Sequence, residues 1–549
     1  MIPTLFEDEW LLAVVKPAGI DTGNARAGSS PGLAETLADV RGKGERLHAT
    51  NRLSRYESGI LLLAKQRPVA DLIRKALKTG KVQSEYAAVV TGRLPGTKAL
   101  IDRRQKRGPA ESRRRRQSES RWPEAGGQPG LSSGGRAIDV RVVSRGEKRA
   151  LVRCRGLVEN THALRAALRS AKMRLLGDSI HDTRARPSLI AQTCLHLSKM
   201  VLRHPATAAG LDLKAPAPDG FAAESDEFFF IERAMHAGLI RRLRCLSEHQ
   251  TNCFRLLSGD HEDLPGLVAE RFGPVAILQL QTRPRLLKNA RAIATWYRRT
   301  LGLQAVYVRI DSTTNRPVDH EPIKDFDPSQ PLVGQGIPEP IEVLERGLRF
   351  AIRPSGGRSV GLFLDQRENR GRIRGLAAGK EVLNLFAYTS AFSVAAAAGG
   401  AKRTVSVDVS RRHLEWAREN FNINGLNSEN HQLVRMGALD FLKRARRRGD
   451  RFDVVILDPP TFAHGRRGED RFSISEDLLR TVNGAVALLN PAGLLLLSTN
   501  YRRMSLRDLR ASLSKGASGR AFEVLETPPL PADFAMDPDH AKSLLARFE

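Results

Sequence analysis

An aspartate followed by two prolines, Asp458-Pro459-Pro460, ends the apolar run "FDVVIL" and leads into Thr461 and the aromatic Phe462. Proline fixes the backbone there, so Asp458 and the adjoining carbonyls can accept hydrogen bonds from a planar base or its amine, and Phe462 offers a ring for stacking. A second carboxylate, Asp408, lies near the end of the run "TVSVDVS", about twenty residues beyond the strand-like "EVLNLF", where an acid can accept both hydroxyls of a ribose. Between the two runs, "AYTS" and "AFSVAAAAGGA" supply small side chains at a helix start, which lets a ligand approach the backbone. Either acid alone is explained as well by an ordinary strand exit, but the two in this order with a small-residue loop point to chemistry on a base.

Such residues must be carried to one edge of a sheet. From residue 360 to 549 strand-like and helix-like segments alternate regularly, the pattern of a doubly wound parallel sheet. Before it, residues 224–353 combine a helix-like start, "FIERAMHAGLIRRLRCL", with the strand-like "VAILQLQ" and "AVYVRID", and read as a small α+β domain. Residues 1–221 carry "WLLAVV", "GILLLAK" and "YAAVVTG", a mixed α+β domain. It is interrupted at 102–135 by a stretch rich in Arg, Ser, Gly and Pro and nearly free of aliphatics, expected to be a disordered basic insertion. That insertion reads equally as an arm for phosphates or as a tolerated loop. The fold class is therefore multi-domain α/β and α+β.

A chain of 549 residues with 41% hydrophobic and 27% charged residues is globular and too long for one core, with roughly three or four domains expected. Its net charge of +28 favours a polyanionic partner, nucleic acid first. Cys154, Cys194, Cys245 and Cys253 have no metal-ligand spacing, so a reduced protein without a cysteine-built metal site is expected. Glu7, Asp8 and Glu9 interrupt any leader core, and no apolar run reaches about 18 residues, so a cytoplasmic protein with no membrane partner is expected.

"GLFLDQRENR", "VLNLFAYTSAFSVAAAAGGA", "VDVSRRHLEWARENFNINGL", "DPPTFAHGRRGEDRF" and "LPADFAMDPDH" resemble the RlmI/RlmK-type class I methyltransferases of large-subunit ribosomal RNA. "RLLSGDHEDLPGLVAERFG" extends the resemblance into that family's central domain. It implies a Rossmann-like domain over 360–549 that uses S-adenosyl-L-methionine and no metal. By resemblance, Asp365 and Arg367 shape the methionine end of the cofactor pocket, Asn384, Phe386 and Tyr388 form the loop around it, and Asp408 binds the ribose. Asp458, Pro459, Pro460 and Phe462 then face the target base. Members of the family that methylate carbon need a cysteine nucleophile, whereas this chain has none after Cys253 and reads Ser498-Thr499-Asn500 where one is expected. A base nitrogen is thus favoured, and the "DPPTF" and "LPADF" spellings resemble the branch that makes 7-methylguanosine. Two departures stand in the cofactor site: Ser390 where the loop usually has glycine, and Gly437 where an acid usually meets the adenine amine, with Asp440 nearby as a substitute.

"VVKPAGIDT", "NRLSRYESGILLLAK", "SEYAAVVTGRL" and "CLHLSKMVLRHPATAAGLDLKAPAPDGF" resemble the RluA-type pseudouridine synthases. The catalytic aspartate of that family's HRLD sequence is here Ser54, Asn51 replaces the histidine, and Glu57 stands in a threonine slot. A serine hydroxyl is not ionised near neutral pH and does not replace the acid. Arg52, Tyr86 and Arg165 resemble retained active-site residues, so this degenerate site is expected to persist as an RNA-binding cleft. The sequence favours a methyltransferase acting on large-subunit ribosomal RNA or its assembly precursor, with a silent synthase-like domain. A non-catalytic RNA-binding or ribosome-assembly protein and a bifunctional synthase and methyltransferase remain alternatives; the oligomeric state is not readable.

Overall fold

The computed structural model describes residues 2–23, 31–42, 46–92, 96–102, 137–156, 161–178, 193–221, 227–311, 326–356, 359–426, 429–463 and 472–549. The expected basic insertion thus lies almost wholly outside the described residues. The chain forms two compact units, Met1–Arg244 and Cys245–Glu549.

In the first unit a mostly antiparallel sheet runs in the order Thr4–Glu7, Leu11–Lys16, Ser58–Ala64, Leu195–Arg203, Gln83–Gly92, Arg149–Gly156, Ala137–Arg145, Lys98–Asp102. The uninterrupted apolar run of Ser58–Ala64 is explained by burial on both faces. Ile60 and Leu62 join one core with Leu11, Val69 and Ile73. Leu61 and Leu63 join another with Leu12, Leu33 and Ile240.

Ile240 belongs to the helix Glu227–Arg241, which the sequence assigns to the middle domain. The helix packs instead on the first unit: a Cβ at Gly19 (φ +95°) would lie 2.4 Å from the Ala237 Cβ, and Arg233 donates to the Tyr56 carbonyl at 3.2 Å. Its apolar face continues that of the N-terminal sheet, so the boundary falls after Arg244 rather than near 221.

The second unit joins the expected middle and C-terminal domains. A five-stranded sheet, Cys253–Ser258, Leu267–Phe272, Val275–Gln281, Ala305–Asp311 and Pro331–Gly334, is followed by the hairpin Ile341–Glu345/Leu348–Ile352. A seven-stranded sheet then runs His431–Arg435, Arg403–Asp408, Glu381–Leu385, Phe452–Leu457, Leu489–Thr499, Lys542–Phe548, Phe522–Glu526. Its first five strands are parallel, and Lys542–Phe548 is antiparallel to both neighbours. Glu381–Leu385 is flanked by Arg403–Asp408 on one side and Phe452–Leu457 on the other, so the strand order reverses there and opens a crevice at the carboxyl edge.

A buried ionic latch ties the parts of this unit together. Asp533, 1% exposed, accepts from Arg367 Nη1 at 2.8 Å and from the Arg255 backbone N–H at 2.7 Å. Arg367 also donates to the Cys253 carbonyl at 2.7 Å, and the Arg255 guanidinium lies 4.0 Å from the centre of the Phe534 ring. Glu345 holds Arg370 through two bonds of 2.7 and 2.6 Å. Removing one partner of such a buried pair strands the other charge and costs about 3–5 kcal/mol. Asp533→Ala is therefore expected to lower the unfolding free energy of the second unit by about that amount in urea denaturation; a loss below about 1 kcal/mol would show the latch to be dispensable.

Candidate functional site

The loop between Glu381–Leu385 and the helix Ala391–Ala398 has an unusual backbone. Phe386, Tyr388 and Ser390 have φ of 58°, 49° and 59°, all left-handed and none of them glycine. Each such residue costs roughly 1–2 kcal/mol, so the loop requires compensation. Asp408 supplies part of it: one carboxylate oxygen accepts the Tyr388 N–H at 2.9 Å and the other the Ser410 N–H at 2.8 Å. Asn420 donates to the Thr389 carbonyl at 3.0 Å, and Thr389 donates to the Gly361 carbonyl at 2.7 Å. Asn384 reaches Ser393 Oγ at 2.9 Å, tying the strand end to the helix start. The Tyr388 ring is packed between Phe363, at 5.2 Å between centroids, and His413, at 4.6 Å. Burial pushes its phenol up to about 12.

These elements enclose a cavity of about 690 Å³ at the sheet's carboxyl edge. Asp365, Asn384, Phe386, Tyr388, Asp408, Asp458, Pro459 and Pro460 line it, as the sequence expects. Arg367 does not: its side chain turns away into the buried latch with Asp533, so it braces the wall that carries Asp365. The backbone of Phe462 pairs with Ser473, while its side chain lies outside the described residues. Gly437 caps the helix Ala438–Arg448 and lines the cavity with no side chain to offer. Asp440, one turn along, also lines it and pairs with Lys443 at 3.3 Å.

Asp458 sits at the cavity, and burial, followed by the charge of Asp365, pushes its carboxyl up to about 7. Gln366, which the sequence reading passed over between its two chosen neighbours, donates to Ser498 Oγ at 2.7 Å and lies 3.4 Å from Asp458 Oδ1. Asn369 holds Gln366 from behind at 2.6 Å, and Ser543 donates to Ser498 at 3.1 Å. Ser498, in the slot where a cysteine nucleophile was sought, is thus a buried member of a hydrogen-bonded network that aims an amide toward Asp458. Cys253 is buried and donates to the Leu344 carbonyl at 3.2 Å; burial pushes its thiol up, away from thiolate chemistry.

In the first unit several residues expected to form the cleft are engaged internally. Arg165 is 4% exposed, with Nε donating to Asp178 at 3.0 Å, a second, shorter bond to the same carboxylate, and Nη1 donating to Glu57 at 3.2 Å. The other Glu57 oxygen accepts the Ser54 N–H at 2.7 Å, so Glu57 bridges the serine turn and the arginine. Buried Lys16 donates to the carbonyls of Pro17, Ser54, Arg55 and Glu57 and fixes the same turn. Asn51 pairs its side-chain amide with the Ile60 carbonyl and the Leu62 N–H, both at 2.9 Å. Tyr86 is buried in the core, which pushes its phenol up. Of the residues expected to form an RNA-binding cleft, only Arg52 is exposed; Arg165 has spent its donors on two carboxylates and Tyr86 has no free face.

Among the described residues no helix is long and apolar enough to cross a membrane. The family model for S-adenosylmethionine-dependent methyltransferases matches residues 285–547, and that for RNA pseudouridylate synthases matches residues 11–170. Ribosomal RNA large subunit methyltransferase K of Neisseria meningitidis is 40% identical over 30% of this chain and 47% of its own length. YwbD of Bacillus subtilis, itself provisionally assigned as a ribosomal RNA large subunit methyltransferase, is 30% identical over 56% of this chain and 76% of its own. The chain thus spans less than half of the Neisseria relative and about three quarters of the Bacillus one. A crystal structure of a provisionally assigned methyltransferase complexed with SAH superimposes with a TM-score of 0.53 and 27% identity, over 64% of this chain and 88% of that one.

Ser390 is 0% exposed, left-handed, and its hydroxyl has no hydrogen-bond partner among the described residues. Glycine at this position relieves the backbone strain and removes a stranded polar group, against a larger loss of chain entropy. Ser390→Gly is expected to raise the unfolding free energy by about 1 kcal/mol in chemical denaturation; a destabilised variant would mean that the hydroxyl supports the loop.

Proposed function

Because the chain belongs to the S-adenosylmethionine-dependent methyltransferase family, we propose that it methylates a base nitrogen, guanine favoured, of large-subunit ribosomal RNA or its assembly precursor in the cytoplasm. The observation that carries this reading is Asp458 in its Pro-Pro turn, facing the cavity and set by the Gln366–Ser498 network, with no thiol beside it. The names of the relatives and the net charge of +28 supply the substrate class.

The cavity fits the cofactor in size and in its donors and acceptors. Asp408 keeps lone pairs for ribose hydroxyls after accepting two backbone N–H groups, and Asp365 and Asn384 stand at the other end for the methionine moiety. The helix start at Gly437 offers backbone N–H groups to the adenine, with Asp440 as the nearby carboxylate. When bound, S-adenosylmethionine supplies a methyl group on a sulfonium. The protein's part in an in-line displacement is alignment and electrostatics. Asp458 accepts a hydrogen bond from the target base, Gln366 fixes its direction, and the apolar wall of Phe386 and Tyr388 excludes water. The ionised acid is the stronger acceptor, and its raised position means that the ionised fraction grows as pH climbs through about 7.

The first unit accompanies this chemistry as a catalytically silent RNA-binding domain. Ser54 supplies no carboxylate, and Glu57 is held by the Ser54 N–H and by Arg165 rather than presented to a substrate.

Wild-type protein is expected to show a kcat/KM for ribosomal RNA that rises between about pH 6 and pH 8. Asp458→Asn is expected to lose about 10²-fold or more in kcat together with that rise, while binding the cofactor as before in calorimetry. Asp408→Ala is expected to weaken cofactor binding about 10- to 100-fold. Full turnover by Asp458→Asn, or no measurable affinity of the wild type for S-adenosylmethionine, would overturn the reading.

A further inference from the structure

The first unit presents a row of cations on the face of its sheet opposite to buried Tyr86 and Cys154. The strands Lys98–Asp102, Ala137–Arg145 and Arg149–Gly156 lie side by side at one end of its sheet. Ile138, Val140, Ala150, Val152 and Cys154 are buried on one face. Alternation puts Arg141, Arg153 and Arg155 on the other, with side chains 54%, 50% and 55% exposed. Arg141 is the direct cross-strand partner of both Arg153 and Lys98, and Arg155 stands two residues beyond Arg153, opposite Asp139. The four cations are therefore spaced at about 5–7 Å across three strands.

Their counter-ions hold them in a particular way. Arg153 and Arg155 both contact Glu85 through Nε, at 3.0 Å for Arg153 and closer for Arg155, and Arg141 contacts Asp139 through Nε at 3.2 Å. Among the described residues, no hydrogen bond engages the terminal Nη groups of these three arginines. A guanidinium fixed by its inner nitrogen has given up part of its rotamer freedom and still presents its outer donors in the fork that matches a phosphate. The exposed neighbour on this face is the aliphatic Val143, and no aromatic ring stands among these strands' exposed residues, so the face has nothing on which to stack bases. The chemistry is that of phosphate-backbone contact with a structured RNA, recognised by shape.

We propose that the solvent face carrying Lys98, Arg141, Arg153 and Arg155, and not the synthase-like cleft, is the surface by which the first unit grips the RNA backbone. This rests on the RNA reading above and locates it.

The test is binding of full-length protein to a fluorescently labelled structured fragment of large-subunit ribosomal RNA, by anisotropy over a range of salt. Arg141→Gln/Arg153→Gln/Arg155→Gln is expected to weaken binding at least 10-fold and to reduce the slope of log affinity against log salt by about 2–3, as three phosphate contacts require. Glu85→Gln, which leaves the arginines and removes an opposing charge, is expected to bind as tightly as wild type or more tightly. Arg52→Gln in the old cleft is expected to change the slope by less than about 0.5. Far-UV melting and cofactor calorimetry on the same samples report folding of each unit. A triple variant that melts as wild type and keeps its affinity and slope overturns the proposal, as does a loss confined to Arg52→Gln. Methyl transfer by the wild type, measured in parallel, reports on the RNA reading separately: transfer without any effect of the triple variant sinks this surface alone.

Discussion

Two backbone N–H groups on one carboxylate hold the candidate active site together. Asp408 accepts from Tyr388 and Ser410, and through the first of these it secures a loop in which three of five residues are left-handed without being glycine. The strain of that loop is of the order of several kcal/mol, and it persists because Asn420, Thr389 and the ring packing of Tyr388 over-determine it. The same carboxylate lines the cavity and is the one proposed for the ribose, so the cavity wall and the sheet's switch point are fixed together. The buried pair of Arg367 and Asp533 does for the opposite wall what Asp408 does for the loop, setting the turn that carries Asp365 and Gln366.

The sequence disclosed the parts of this arrangement that depend on local chemistry. The alternation of strands and helices, the strand-end acid, the proline-fixed turn and the small-residue helix start are each spelled in consecutive residues, and they lie together on the cavity. What escaped depends on partners far apart in the chain. Resemblance assigns Arg367 to the pocket, but its partner Asp533 is 166 residues away and draws it elsewhere. Gln366 was missed for the converse reason, since its role comes from Ser498, 132 residues distant. The helix Glu227–Arg241 carries an apolar face that suits either neighbouring domain, and its contacts decide between them: Ala237 against Gly19, Arg233 on the Tyr56 carbonyl and Ile240 in the core.

In the first unit a buried arginine is balanced by carboxylates of the same unit. With Ser54 where the resemblance leads one to expect an acid, the counter-charges of buried Arg165 come from other positions. Glu57, in a slot where the resemblance leads one to expect threonine, answers that charge from a position three residues on, and Asp178 completes the pair. Arg165 is therefore accounted for by internal charge balance and Tyr86 by core packing, and the RNA contact is sought at exposed guanidinium groups.

The central claim, nitrogen methylation of ribosomal RNA, meets its most direct test in nucleoside mass spectrometry of large-subunit ribosomal RNA from cells with the gene intact, deleted, or replaced by the Asp458→Asn form. The proposed function predicts one methylated guanosine that is present with the intact gene and absent from both other strains. An unchanged set of methylated nucleosides in all three, or a missing 5-methylcytosine instead, would contradict it.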